Sequence, residues 1–151
     1  AMQGGVGGHA GVFSNADDLA VVMQMLLNKG VYGGERYLEE STIAEYIKCQ
    51  YCESENDVNR RGAGFDKPVM PPGPGPTCKC VSFDSFGHSG FTGTIVWADP
   101  VENITYVFLS NRVYPTAENN KLAKLNIRTN IQAEIYRVLR GTNVDTALVA
   151  P

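Results

Sequence analysis

Between positions 16 and 27 the apolar residues Leu19, Val22, Met23, Met25, Leu26 and Leu27 recur with a helical rhythm and make one broad face. Ser14, followed by Asn15, Ala16, Asp17 and Asp18, supplies an N-terminal cap with acidic residues at the positive end of the helix dipole, and Gly30 supplies the stop. The pattern predicts a first helix there. "VYGGERYL" (31–38) reads as a turn-rich link in which Leu38 plugs the core, and Ser41 with Glu45 is predicted to cap a shorter helix through about Lys48. "GAGFD", Gly62 to Asp66, reads as a short strand whose small residues let another backbone pass closely. Thr94–Ala98 and Ile104–Ser110 are β-rich runs separated by the turn sequence "DPVEN", which predicts an antiparallel hairpin. From Ala117 to Arg140, Leu122, Leu125, Ile127, Ile131, Ile135, Val138 and Leu139 return at helical spacing before Gly141, so a long terminal helix is expected to pack on the hairpin. The fold class that follows is α+β: an antiparallel sheet, hairpin plus short strand, covered by helices.

Composition narrows the class. With 151 residues, 43% hydrophobic and 19% charged, the chain has enough apolar material for one domain with a core, expected over 1–141 with 142–151 as a tail. A net charge of -3 with dispersed basic residues gives no footprint for nucleic acid or an anionic membrane surface. No apolar run has the length of a membrane span. The opening "AMQGGVGGHAG" has neither the charged start nor the apolar stretch of a signal peptide, and reads as a chain cut within a larger domain. "PVMPPGPGP" (68–76) reads as an exposed irregular loop, because its prolines fix φ and lack a donor.

Two polar clusters stand at strand ends. His88-Ser89-Gly90 is read as entering the strand from Phe91, and Ser110-Asn111-Arg112-Val113-Tyr114-Pro115-Thr116 as leaving the partner strand. In an antiparallel pair the entrance of one strand lies beside the exit of the next, so the clusters are predicted to meet and to gather His88, Ser89, Asn111 and Arg112 at one edge. The plain structural alternative is that the glycines serve a twisted strand and Asn111-Arg112 caps it.

"GHSGFTGT..W.DP", followed by "YVFLSNRVYP" and preceded by "GGHAGVFSNADDLAVVMQMLLNKG", resembles the C-terminal part of the serine β-lactamase-like superfamily: penicillin-binding proteins, class C β-lactamases and related esterases. The resemblance covers most of the chain. Its Lys-Thr-Gly, His-Thr-Gly or His-Ser-Gly triplet corresponds to His88-Ser89-Gly90, which makes Ser89 a substrate ligand and the Phe91 N–H an oxyanion donor, with Gly90 allowing close approach. Preorganised donors of this kind are worth about 3 to 4 kcal/mol each in acyl transfer. The Asn-Lys-x-Tyr-Pro-Asn turn of the class C enzymes is matched by Asn111 to Thr116. Thr116 replaces an asparagine and Asn119 an arginine of that pattern, which weakens the case for a substrate carboxylate.

The superfamily's nucleophile lies in Ser-x-x-Lys, helped by Tyr-x-Asn, and neither triplet occurs in these residues. A serine hydroxyl is a weak nucleophile without a base, so the chain alone is expected not to acylate. The resemblance therefore implies a half-site completed by an N-terminal half of the same domain, acting on a small-molecule or cell-wall-derived substrate, in the periplasm or cell envelope, without a cofactor. A domain cut in this way is expected to expose apolar surface and to associate, for example as a homodimer. The alternative is a non-catalytic binding module that uses the same cleft. His88 in place of lysine gives a group able to carry a proton at neutral pH and leans toward ester or amide substrates. His9, in the glycine loop, is a further candidate for the site.

Cys49 and Cys52, and Cys78 and Cys80, form two close pairs. Structural zinc, free thiols and disulfides are all compatible with these spacings. An exported protein, which the resemblance implies, favours disulfides, most simply between the two pairs, stapling the proline loop to the short helix.

Overall fold

The computed structural model describes residues 11–50, 52, 60–69 and 75–141. His9, the centre of the proline loop and the 142–151 tail lie outside the described residues.

Helix α1 spans Ala16–Leu27. Its cap is Asn15 rather than Ser14: the Asn15 side-chain oxygen accepts from the Asp18 N–H at 3.0 Å, and its amide nitrogen donates to the Asp18 carboxylate at 2.8 Å. The helix closes with Lys29 in the left-handed region (φ +55°), whose N–H reaches the Leu26 carbonyl, while the Gly30 N–H reaches that of Met25. This paired closure satisfies two terminal carbonyls. Gly30 is also required, at φ +92°, because a Cβ there would run into the Leu38 carbonyl.

β1 (Val31–Tyr32) and β2 (Glu35–Arg36) form a small hairpin on Gly33 and Gly34, both at positive φ as a two-residue turn demands. Leu38, expected in the core, is 40% exposed because the hairpin carries it outward. Helix α2 spans Glu40–Ile47 with Glu39 at the cap position, so the predicted Ser41 cap falls inside the helix. "GAGFD" contributes only single bridges, Arg61 to Asp66 and Asp66 to Gly87. The expected close approach holds at Gly62, where a Cβ would lie 2.6 Å from the Tyr46 carbonyl.

The central sheet is β3 (Phe86–Ser89), β4 (Ile95–Asp99) and β5 (Ile104–Phe108), antiparallel in that order. His88 and Ser89 thus end a strand of their own, and Phe91 sits in the turn after it rather than opening β4. Alternation along β4 divides the core. Ala98 and Val96 join Phe86, Phe65, Ile47 and the α1 residues Met23, Leu26 and Leu27 on one face. Ile95 and Trp97 join Tyr106, Phe108, Val81 and Ile135 on the other. Gly87 stands opposite Trp97, and a Cβ at that position would collide with the indole ring.

The predicted terminal helix is broken. α3 covers Lys121–Lys124 and α4 covers Ile127–Leu139, separated by Asn126 at φ +51°. The inner face of α4 is mixed: Gln132 and Tyr136 are buried and Ile135 packs on the core, whereas Ile131, Val138 and Leu139, and Leu125 before the helix, are exposed. Polar bonds select that face. Arg128, Gln132, Tyr136 and Arg140 follow one another at intervals of four, along one side of a helix. Gln132 Oε1 accepts from the Cys78 N–H (2.8 Å), Tyr136 Oη donates to Asp99 (2.8 Å), and Arg140 reaches Glu102 (2.6 Å) and the Cys80 carbonyl (2.8 Å).

The cysteines pair within each couple, Cys49 with Cys52 and Cys78 with Cys80, and not between couples as expected. Cα separations of 5.7 and 5.2 Å make the local closures geometrically accessible. Among the described residues no group of three His, Cys, Asp or Glu is placed to hold a metal ion.

Asp99 is completely buried at the end of β4. Its carboxylate accepts from Ser82 Oγ (2.6 Å), the Ser82 N–H (2.8 Å), Tyr136 Oη (2.8 Å) and the Val101 N–H (3.1 Å). Burial pushes its pKa up, but the bonds from Ser82, Tyr136 and Val101 outweigh it and hold the carboxyl below the usual range. Lys67, buried over the Phe86 ring and bonded to the Asp84 carbonyl at 2.8 Å, is pushed down to about 8, first by burial and then, with Asp84 opposing, by Arg60.

Asp99→Ala is expected to cost roughly 3 to 5 kcal/mol and Tyr136→Phe roughly 1.5 to 3 kcal/mol in urea unfolding. The Asp99 contribution is present above the unfolded aspartate pKa of about 4 and is lost as pH falls through the lower folded value; Asp99→Asn should flatten that acid limb. For Lys67 the unfolded chain binds more protons above about pH 8. Stability should therefore gain from Lys67 as pH rises from about 8 to about 10, a gain absent in Lys67→Met.

Candidate functional site

β3 runs outward to His88 and Ser89, turns through Gly90–Thr94, and returns as β4. The exit of β5 lies beside this turn at the same end of the sheet, where Ser110 and Arg112 contact Phe91 and Thr92. Among the described residues no hydrogen bond or ring contact brings Asn111 or Arg112 onto His88 or Ser89, because β4 lies between β3 and β5. The Thr92 carbonyl accepts from the Arg112 N–H at 2.9 Å and from Ser110 Oγ at 3.0 Å. The Arg112 guanidinium stacks on the Phe91 ring at 4.8 Å, and its Nη1 also donates to the Ala117 and Asn119 carbonyls, each at 3.1 Å. Arg112 therefore braces two loops at once.

The turn is tight for identifiable reasons. Gly90 donates to the Thr94 carbonyl (2.8 Å), Gly93 donates to the Gly90 carbonyl (2.9 Å), and Gly93 adopts φ +96°. A Cβ on Gly90 would meet Thr94 Oγ1, and one on Gly93 would lie 2.5 Å from Ser110 Oγ. Arg128, from the first turn of α4, donates through Nη1 to the Gly93 carbonyl at 3.0 Å and the Thr94 carbonyl at 3.3 Å. Among the described residues, none accepts a hydrogen bond from the Phe91 N–H.

His88 is exposed on β3, and its Nδ1 lies 2.8 Å from the Ser89 carbonyl. A carbonyl can only accept, so this contact places the proton on Nδ1 and leaves the Nε2 lone pair free. Ser89 is half-buried beside it. The Asn111 carbonyl accepts from the Tyr114 N–H at 3.3 Å, and Thr116 Oγ1 accepts from the Glu118 N–H at 3.3 Å, so the recorded bonds of these two stay within their own loop. Of the predicted residues, Arg112 and Phe91 are brought into contact, next in the chain to Ser89 and Gly90.

Ser110 heads the second polar cluster of the sequence, whereas Arg128 is not singled out by the sequence pattern. Arg128 looks like one of several basic residues among the apolar positions of α4, and only the four-residue interval to Gln132 and Tyr136 sets it apart. The arrangement offers a backbone donor, a hydroxyl and an imidazole lone pair at one end of the sheet, with the Arg112 and Arg128 guanidiniums against the same turn. Such a set can orient an acyl group and stabilise a developing oxyanion.

A family model described as Beta-lactamase matches residues 1–130. Two curated relatives from Salmonella, of strains of paratyphi B and newport, are provisionally named D-alanyl-D-alanine carboxypeptidase. Each is 35% identical over 119 residues, which cover 79% of this chain and 26% of the relative. The chain thus spans about a quarter of their length. The crystal structure of a beta-lactamase from Mycobacterium bovis matches with a TM-score of 0.55 at 25% identity, over 74% of this chain and 44% of that one.

Gly93→Ala is expected to destabilise the chain by roughly 1 to 3 kcal/mol, since the residue would carry a side chain at positive φ against Ser110. Phe91→Ala should cost at most about 1 kcal/mol, because the ring is 72% exposed and loses only the Arg112 stack. Urea titration of both variants checks the contrast.

Proposed function

Because the chain belongs to the Beta-lactamase family, we propose that it forms the substrate- and oxyanion-binding wall of a serine hydrolase that transfers an acyl group to water through an acyl-serine. The observation that carries this reading is the Phe91 N–H, unclaimed among the described residues, in a turn braced from behind and flanked by His88 and Ser89. In this reading Phe91 donates to the oxyanion, Ser89 and the Asn111–Thr116 loop hold substrate, and His88 carries a proton through its Nε2. The carboxypeptidase name of the relatives points to a peptide ending in D-alanyl-D-alanine as substrate, and hence to a place in the cell envelope.

The 151 residues contain no Ser-x-x-Lys, so the nucleophile comes from elsewhere in the domain and this chain alone is inactive. Support for an incomplete domain comes from the exposed apolar residues Ile131, Val138 and Leu139 on α4, with Leu125 just before it, which suit cover by the remaining half or by a second copy. The missing Ser-x-x-Lys also favours a second reading, a binding module that uses the same edge without chemistry.

Titration of the ¹⁵N-labelled chain with the dipeptide D-alanyl-D-alanine tests the site. Shift changes are expected at Ser89, Phe91, Thr92 and Arg112, with no labelling of the chain by a fluorescent penicillin. Changes confined to another surface, or none at saturating dipeptide, would overturn the site, and labelling would place a nucleophile within these residues.

A further inference from the structure

Within the Gly90–Thr94 turn the carbonyls and the amides are treated differently. The carbonyls of Gly90, Thr92, Gly93 and Thr94 all accept from donors of the protein: Gly93 N–H, Arg112 N–H with Ser110 Oγ, Arg128 Nη1, and Gly90 N–H with Arg128 Nη1. A peptide unit is planar and trans, so its carbonyl and the following N–H point in opposite directions. Holding the Gly90 carbonyl inside the turn therefore turns the Phe91 N–H outward. The link that holds it is Gly93, whose N–H bonds Gly90 and whose own carbonyl is gripped by Arg128.

Arg128 is itself well anchored. The left-handed Asn126 breaks the terminal helix one residue before α4, and Tyr106 Oη donates to the Arg128 carbonyl at 3.0 Å, fixing its backbone to β5. Its guanidinium bonds two successive carbonyls, a task suited to a rigid fork of donors and less suited to an ammonium. Among the described residues no carboxylate pairs with it. Its charge stays uncompensated behind the turn, where it adds to the positive potential that an oxyanion would meet.

We propose that Arg128 is a positioning residue for the oxyanion donor: it locks the carbonyl side of the Gly90–Thr94 turn so that the Phe91 N–H faces the acyl oxygen. The proposal rests on the hydrolase reading of this edge and adds to it a residue on the opposite side of the turn from the substrate.

Amide hydrogen exchange and dipeptide titration of the chain with Arg128→Ala, Arg128→Lys and Tyr106→Phe test it. Arg128→Ala should speed exchange at Gly90 and Gly93, whose amides donate within the turn, and weaken D-alanyl-D-alanine binding about tenfold. Exchange at the Asp99 end of the sheet should stay unchanged. Arg128→Lys should recover part of both effects, and Tyr106→Phe, which leaves the guanidinium in place, should move them in the same direction by less. If Arg128→Ala fails to fold, the lysine and phenylalanine variants carry the test. Uniform loosening of the whole sheet, or no change at the turn, would overturn the proposal. Failure of the unaltered chain to bind dipeptide would instead sink the hydrolase reading, and the exchange pattern would still decide what Arg128 does.

Discussion

A fully buried carboxylate, Asp99, is the point on which the architecture turns. It ends β4, starts the turn to β5 through the Val101 N–H, fixes the segment before β3 through Ser82, and receives the Tyr136 hydroxyl of α4. An ionised group taken out of water is tolerated only when its lone pairs are filled, and here they are filled from three separate stretches of chain. Removing the carboxylate would leave the buried Tyr136 hydroxyl and the half-buried Ser82 donors without an acceptor. That is why one side chain sets both the register of the β4–β5 hairpin and the seat of the last helix.

From that seat α4 extends toward the other end of the sheet. Arg128 lies two helical turns before Tyr136, about 12 Å along the axis, and grips the Gly93 and Thr94 carbonyls. The same helix is thus bonded to the structural end of the sheet and to the end that carries the candidate site. Arg112 braces the turn from the β5 side, with its backbone on Thr92 and its guanidinium on the Phe91 ring. Rigidity matters for the proposed chemistry, because an oxyanion donor contributes most when it needs no reorganisation as charge develops.

The parts legible in the sequence are those set by local chemistry. The start of α1 at an acidic first turn, the "DPVEN" turn and the nearness of the β5 exit to the turn before β4 follow from residue types a few positions apart or from the antiparallel rule, although the cap moves from Ser14 to Asn15. Long-range polar bonds escaped. Asp99 reads as a turn residue until Ser82 and Tyr136 are brought to it, and the apolar spacing of the terminal helix gives no sign of the Arg128, Gln132 and Tyr136 that bond inward. Leu38 went astray when the Gly33-Gly34 hairpin carried it to the surface. The cysteine pairing followed the shorter closures, a choice that spacing alone leaves open.

The most direct measurement is acylation by a fluorescent penicillin of a chimera in which this chain replaces the segment it matches in one of the Salmonella relatives, run beside that relative. If this chain supplies a working oxyanion and substrate wall, the folded chimera is labelled, and Arg128→Ala within it slows labelling without unfolding it. Labelling of the relative beside a folded chimera that stays unlabelled would contradict the account.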